Sequence, residues 1–241
     1  NEKLNLYMKV VILCGGIGSR LAEETKLIPK PMVKVGNLPI VQHIINYYKR
    51  FGLNEFILAT GYKKEILEKY FKNKKNIQCI FTGKNTLTGG RVLKLKKHFN
   101  KNENFLLTYG DGLINQDLNK LIKFHKSHGK IATLTSVKPP ARFGELKIKG
   151  NIVSSFKEKP QLQNNWINGG FFVFNSKIFN FISGDKMMLE REPFQKLTRI
   201  KNLMAFKHYG FWQCMDTMRD KKVLEDLWKI KKAPWVKKIN S

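Results

Sequence analysis

The chain has 241 residues, of which 42% are hydrophobic and 12% aromatic. This composition excludes a disordered chain and suffices for one α/β domain. The formal charge is +27, but the basic residues are spread along the sequence without an arginine-rich arm. The pattern therefore favours a lysine-rich surface that attracts small polyanions. Nucleic-acid binding is the less favoured alternative and would be sensitive to salt.

The three cysteines, Cys14, Cys79 and Cys214, lie far apart in the sequence and form no C-x-x-C pair. This spacing excludes a disulfide framework and a metal knuckle, and it suits a reducing compartment. The apolar runs are too short to span a bilayer, and the first residues lack a signal-peptide pattern. We therefore expect a cytoplasmic protein without a membrane partner, in which residues 1–7 are a short extension.

The first strong motif is an apolar run, residues 10–14, that stops at Gly15, Gly16 and Gly18. It predicts a buried strand whose end enters a glycine turn. Without side chains in the way, the N–H groups of such a turn can converge on phosphate oxygens. The spacing matches neither the dinucleotide fingerprint nor the P-loop, and a simple turn is the alternative interpretation.

Two cations accompany this turn. Arg20 follows it directly, and Lys30 lies between Pro29 and Pro31, which restrict the backbone on either side of the lysine. We expect both side chains to reach the same anion.

Strands and helices alternate after the turn. Apolar spacing predicts a helix over residues 40–51, a strand over 55–60, a helix over 66–71 and a strand over 76–82. This order predicts an α/β fold with a mostly parallel central sheet flanked by helices, and ligands at the carboxyl ends of the strands.

A second glycine-rich segment contains Thr86, Gly89, Gly90 and Arg91 and opens a predicted helix. It is either an ordinary helix start or a backbone shelf for a nucleobase or ribose.

The next motif is a hydrophobic strand, residues 105–109, that runs into Gly110 and Asp111. An aspartate in this position offers a carboxylate at the rim of the sheet, where a hard cation and phosphates could share it. An ordinary Asp-Gly turn is the alternative. Further along, His125 and His128 lack a third ligand, which favours packing or surface roles.

A helix cap by Asp117 and strands over residues 130–137 and 151–156 are predicted next. Asn168 and Gly169 precede another apolar strand; the amide can donate to and accept from a sugar, and the glycine leaves space for its ring. Asp216 lies just before a predicted helix. It is either the cap of that helix or a second carboxylate for the cation held by Asp111.

Together these patterns resemble the sugar-1-phosphate nucleotidyltransferases, the nucleoside diphosphate sugar pyrophosphorylases, over nearly the whole chain from Met8 to Trp235. The matching motifs are the glycine turn with Arg20, Pro29-Lys30-Pro31, Glu158-Lys159-Pro160, Asn168-Gly169-Gly170-Phe171-Phe172, Gly210-Phe211-Trp212-Gln213 and Lys232-Ala233-Pro234-Trp235. The chain departs from this family between residues 62 and 86, where it lacks a polar insertion.

The resemblance implies a Rossmann-like fold in a single nucleotidyltransferase domain, residues 1–241. Within it, residues 138–165 would form a β excursion at the sugar pocket and residues 217–241 a C-terminal helical tail. It further implies a Mg²⁺-dependent, homo-oligomeric enzyme that converts CTP and glucose 1-phosphate to CDP-glucose and pyrophosphate. The product would feed deoxysugar synthesis for lipopolysaccharide O-antigen or another cell-surface polysaccharide.

The resemblance also implies a role for each matching residue. The catalytic residues would be Arg20, Lys30 and Asp111, and the metal ligands Asp111 and Asp216. Nucleotide contacts would come from Leu13, Gly15, Gly16, Gly18, Ser19, Arg20, Lys30, Thr86, Gly89, Gly90, Arg91 and Gly110. Contacts with the sugar phosphate would come from Glu158, Lys159, Asn168 and Gly169. The alternatives are a related enzyme that uses UTP or dTTP, a non-catalytic nucleotide-binding subunit and a polyanion-binding module.

Overall fold

The computed structural model describes residues 8–139, 145–157 and 166–236. Its strands are β1 (Val10–Cys14), β2 (Lys34–Val35), β3 (Leu38–Pro39), β4 (Phe56–Thr60), β5 (Ile77–Phe81), β6 (Asn104–Tyr109), β7 (Gly112–Ile114), β8 (Ala132–Val137), β9 (Glu145–Lys149), β10 (Ile152–Lys157), β11 (Ile167–Asn175), β12 (Leu203–His208) and β13 (Trp212–Cys214). Its α-helices are α1 (Ala22–Thr25), α2 (Ile40–Lys49), α3 (Lys64–Phe71), α4 (Thr88–Lys94), α5 (Leu118–His128), α6 (Glu192–Arg199) and α7 (Met218–Lys229). Short 3-10 turns cover Ser19–Leu21, Lys30–Met32, Lys96–His98, Ser176–Phe181 and Pro234–Val236.

The central sheet has seven strands in the order β12-β8-β11-β6-β1-β4-β5. Strand β1 pairs in parallel with β4 and β6. Strand β4 also pairs in parallel with β5, and β8 pairs in parallel with β12. Strand β11 runs antiparallel to β6 and β8. The predicted α/β class with a mostly parallel sheet is confirmed. Because β11 is reversed, its first residues reach the edge at which β1, β6 and β8 end.

Both faces of the sheet are covered. In β1, Val10 and Ile12 point into a core built with α2, α5 and α7. Val11 and Leu13 point into a second core that includes residues of α4 and α6. A strand buried on both faces reads as a continuous apolar run, which explains the unbroken pattern at residues 10–14.

The remaining strands form two-stranded sheets, among them the β9–β10 hairpin and the β7–β13 pair. The hairpin lies within the predicted β excursion, but residues 140–144 and 158–165 are outside the described residues. The division of the chain into extension, excursion and tail stays a prediction. No helix among the described residues is long and apolar enough to cross a membrane.

Candidate active site

A cavity of about 540 Å³ opens where β1 and β6 end and β11 begins. Most residues that the sequence predicts for the site line it, namely Leu13, Gly15, Gly16, Gly18, Ser19, Arg20, Lys30, Thr86, Arg91, Gly110, Asp111, Asn168 and Asp216. Gly89, Gly90 and Gly169 are not among its lining residues. Glu158 and Lys159 lie outside the described residues.

The first glycine segment, residues 15–20, forms the mouth of the cavity. Gly18 has a φ of 70°, a conformation that favours glycine, and its carbonyl accepts a hydrogen bond from Thr25 Oγ1 at 3.0 Å. Gly16 is exposed, and a Cβ added there would meet no atom within 4 Å. The backbone here is therefore accessible to a ligand in the cavity.

Lys30 lies between two carboxylates. Its ammonium Nζ is 2.5 Å from Asp111 Oδ2 and 2.6 Å from Asp216 Oδ1, and its side chain is only 13% exposed. Arg20 adds a second cation, with Nη1 at 3.1 Å from the other Asp216 oxygen, Oδ2. The structure thus brings together two cations and two anions from distant parts of the sequence.

The pairing of β7 with β13 explains how the two aspartates meet. Asp111 precedes β7 and Asp216 follows β13, and the antiparallel register places Gly112 opposite Cys214. The amide of Met215 donates to the Asp111 carbonyl at 2.9 Å, which continues the ladder to the carboxylates. A short β ladder therefore fixes a contact between side chains that are far apart in the chain.

Asp216 is not the cap of α7. Thr217 is the N-cap residue and forms a capping box with Asp220, whose carboxylate also accepts from the Asp216 amide at 3.2 Å. The cap alternative for Asp216 is therefore wrong, and its carboxylate is left for Lys30, Arg20 and the cavity. The predicted cap by Asp117 is confirmed, since its side chain accepts from the Asn119 and Lys120 amides.

The electrostatics keep Lys30 and Asp216 ionised. Burial acts to lower the pKa of Lys30, but Asp111 and Asp216 outweigh it and raise that pKa above its usual value. Burial raises the pKa of Asp216, whereas Lys30 and Arg20 lower it by more, so the net shift is downward. Burial and then Asp216 raise the pKa of the neighbouring Cys214 thiol to about 12, which makes it unreactive.

The donor set fits Mg²⁺. The Lys30 ammonium stands in for a cation shared by Asp111 and Asp216, and both supply the hard oxygen atoms that Mg²⁺ prefers. The described residues contain no group of three or more His, Cys, Asp or Glu side chains able to hold a metal. Mg²⁺ is typically held by one or two carboxylates together with substrate phosphates and water, so two carboxylates suffice here.

The second glycine segment, residues 86–91, is mostly interior. The guanidinium of Arg91 donates to the carbonyls of Gly15 at 2.8 Å, Thr60 at 3.1 Å and Gly83 at 2.8 Å, and the side chain is 4% exposed. A Cβ on Gly90 would lie 2.6 Å from the backbone of Asp185. These contacts hold the backbone around the cavity, and the nucleotide contacts that the family resemblance implies for this segment stay a prediction.

The start of β11 forms another part of the cavity wall. The Asn168 Oδ1 atom accepts from the Gly170 amide at 2.9 Å, which leaves its Nδ2 group as the donor on the cavity side. Trp212 donates from Nε1 to the Gly169 carbonyl at 2.7 Å. Gly169 is therefore held behind the wall, while Asn168 faces the cavity.

Sequence reasoning did not predict Tyr109 in this wall or Glu190 behind it. Tyr109, the last residue of β6, lines the cavity, and its hydroxyl donates to Glu190. Glu190 lies just before α6, in a segment whose sequence has no periodic pattern or motif. Tyr109 could have been found from its place beside Gly110-Asp111, but the sequence carries no signal for Glu190.

The profile described as nucleotidyl transferase matches residues 9–218. The chain belongs to the nucleotidyl transferase family. It is similar to glucose-1-phosphate cytidylyltransferase of Salmonella typhimurium, with 44% identity over 95% of this chain and 98% of that protein. It is also similar to mannose-1-phosphate guanyltransferase of Saccharomyces cerevisiae, with 30% identity over 88% of this chain and 62% of that protein.

Among solved structures, HddC from Yersinia pseudotuberculosis complexed with GMP-PN superposes with a TM-score of 0.72. Its identity to this chain is 25%, and the match covers 92% of this chain and 99% of HddC. This chain and HddC therefore share one fold.

Proposed function

We propose that this nucleotidyl transferase converts CTP and α-D-glucose 1-phosphate to CDP-glucose and pyrophosphate. The observation that carries the proposal is the charge cluster of Lys30, Arg20, Asp111 and Asp216 at the mouth of the cavity. The choice of CTP and glucose rests on the similarity, over nearly the full length, to glucose-1-phosphate cytidylyltransferase of Salmonella typhimurium.

The reaction brings two anions together. A phosphate oxygen of glucose 1-phosphate forms a bond to the α-phosphorus of CTP while the bond from that phosphorus to the oxygen of the departing pyrophosphate breaks. Because both substrates are negatively charged, catalysis depends on positioning and on neutralisation of charge. No covalent intermediate with the protein is required.

We assign Arg20 and Lys30 to the triphosphate and to the charge that develops on the leaving pyrophosphate. Arg20 is well placed for this role because its side chain is 74% exposed at the mouth of the cavity. Lys30 must exchange at least one carboxylate for a phosphate, which is also an anion and leaves the ammonium paired with negative charge. The open backbone at Gly16 is available to accept the phosphates.

Asp111 and Asp216 are the residues that would hold Mg²⁺, which supplies charge neutralisation to the phosphates when it is bound. The sugar phosphate is assigned to Asn168 and, from the family motif, to Glu158 and Lys159. The Asn168 Nδ2 group is the donor for a sugar hydroxyl.

A pyrophosphate-release assay tests the function. CTP, UTP and dTTP are each paired with glucose 1-phosphate and mannose 1-phosphate, with and without Mg²⁺. We expect fast release only with CTP, glucose 1-phosphate and Mg²⁺. Faster release with UTP or dTTP would reassign the base. Nucleotide binding without turnover would indicate a non-catalytic subunit, and salt-sensitive DNA binding alone a polyanion-binding module.

A cytoplasmic location, a homo-oligomer and a place in deoxysugar synthesis are further predictions from the resemblance. The three cysteines are free, in keeping with a reducing compartment. Light scattering after size-exclusion chromatography tests the oligomeric state.

A further inference from the structure

Glu190 joins two walls of the cavity. One carboxylate oxygen, Oε2, accepts from Thr88 Oγ1 at 2.6 Å, and the other, Oε1, accepts from the Tyr109 hydroxyl. Thr88 begins α4 and Tyr109 ends β6, and both line the cavity, whereas Glu190 is not among the lining residues. The carboxylate thus binds the hydroxyl groups of two residues that line the cavity.

The same contacts fix the direction of each hydrogen bond. Because a carboxylate only accepts, Tyr109 must donate to Glu190, and its oxygen is then free to accept from Asn168 Nδ2 at 3.4 Å. The Asn168 Oδ1 atom is already used by the Gly170 amide at 2.9 Å. The Asn168 amide is therefore held at both ends: the Gly170 amide holds Oδ1, and a chain of contacts that starts at Glu190 holds Nδ2.

Packing restricts the tyrosine ring as well. A Cβ on Gly170, whose φ is 78°, would lie 2.4 Å from the ring of Tyr109. Phe172 contacts that ring edge to face at a centroid distance of 5.7 Å. Packing thus sets the position of the ring. The direction of the Tyr109 O–H bond is then left to vary, and Glu190 determines it.

We propose that Glu190 is a positioning residue for the sugar substrate: through Tyr109 it holds Asn168 with an N–H group toward the sugar hydroxyls. This inference rests on the proposed function, because Asn168 is assigned there to the sugar. Without the Tyr109 contact on Nδ2, the amide would be held from the Oδ1 side alone, the direction of its N–H groups would be less fixed, and binding of glucose 1-phosphate would weaken. Binding of CTP would change little.

A double-mutant cycle tests the proposal. Glu190→Gln keeps the shape but cannot accept from both hydroxyls, and Tyr109→Phe removes the middle of the chain of contacts. We expect each variant to lower kcat/KM for glucose 1-phosphate about tenfold, mainly through KM, with KM for CTP within about threefold of the wild type. The double variant should lose no more than about tenfold, because the two residues act through one path.

Glu192→Gln is the matched control. Glu192 lies two residues further on, is exposed and pairs with Lys196 at 2.6 Å, so its variant should retain wild-type kinetics. The proposal is overturned if the double variant loses the product of the two single effects, about a hundredfold, or if Glu190→Gln behaves like Glu192→Gln. Equal losses for both substrates would also overturn it, since they would indicate a general structural defect.

Thermal melting separates these outcomes from unfolding. If Glu190→Gln is unfolded at the assay temperature, Tyr109→Phe alone carries the test, because it removes both the hydrogen bond to Glu190 and the acceptor for Asn168 Nδ2. An unchanged KM for glucose 1-phosphate in Tyr109→Phe would then overturn the proposal. If the wild type turns over none of the substrates, the proposed function fails. The coupling of Glu190 with Tyr109 is then measured from unfolding free energies, and additivity would reject the contact itself.

Discussion

The two glycine segments, residues 15–20 and 86–91, resemble each other in sequence and differ in what they face. Each has glycines followed by an arginine. Arg20 has 74% of its side chain exposed at the mouth of the cavity, whereas Arg91 is 4% exposed and donates to backbone carbonyls. The same residue types thus form an exposed turn beside the cavity in one place and a set of internal hydrogen bonds in the other.

The difference follows from what lies above each segment. The first follows β1 and has open space above Gly16. The second begins α4, and the backbone at residues 185–187 packs directly on Gly89 and Gly90. Since the Gly15 carbonyl accepts from Arg91, the second segment also holds the first in place.

The largest effect is expected at Lys30, which belongs to the open side of the site. Lys30→Ala should lower CDP-glucose synthesis at least about a hundredfold, because a charge that faces the phosphates is lost. Lys34→Ala, at an exposed position in the adjoining strand β2, is the matched control and should retain activity. Wild-type turnover in Lys30→Ala would reject the assignment of this lysine.

Arg20→Met should affect activity and leave stability almost unchanged. We expect kcat/KM to fall by about ten- to a hundredfold, since one cation facing the triphosphate is removed. The unfolding free energy should stay within about 0.5 kcal/mol of the wild type, because the side chain is exposed. Urea unfolding and steady-state kinetics measure the two quantities. A large loss of stability with normal kinetics would show that Arg20 is structural.

Arg91→Met should lower stability more than activity. Its removal takes one charge-assisted donor from each of the carbonyls of Gly15, Thr60 and Gly83, and we expect a loss of about 3 kcal/mol in unfolding free energy. Urea unfolding measures this loss. Unchanged stability together with a higher KM for CTP would mean that Arg91 binds the nucleotide directly.

The smallest effects are expected from alanine at two glycines. Gly90→Ala places a Cβ against the Asp185 backbone and should cost about 2 kcal/mol of stability. Gly16→Ala meets nothing within 4 Å and should change stability by less than about 0.5 kcal/mol. Melting curves of both variants check this, and equal losses would contradict the difference in packing.

Much of this fold could be predicted from local pattern. The apolar run at residues 10–14 and the helical spacing over 40–51 reflect burial against neighbours, and the structure places β1 and α2 there. The reversed direction of β11 could not be predicted, because a strand buried on both faces has the same apolar pattern in either orientation.

Some residues of the site could likewise be predicted from the sequence, and others could not. The flanking prolines pointed to Lys30 and the end of an apolar strand to Asp111. Asp216 was indicated by its place before a predicted helix and by the family resemblance, and these side chains do meet. The interior contacts of Arg91 could not be predicted, since its carbonyl partners come from the end of β4 and from the segments that follow β1 and β5. Glu190 was missed for a related reason: its partners Thr88 and Tyr109 are supplied by tertiary packing alone.

Mn²⁺ binding in the presence of CTP, followed by electron paramagnetic resonance, tests most directly whether Asp111 and Asp216 share one cation. We expect one site per chain in the wild type and an affinity at least about tenfold lower in both Asp111→Asn and Asp216→Asn, since loss of even an outer-shell partner typically costs this much. Wild-type affinity for Mn²⁺ in either folded variant would contradict the shared site.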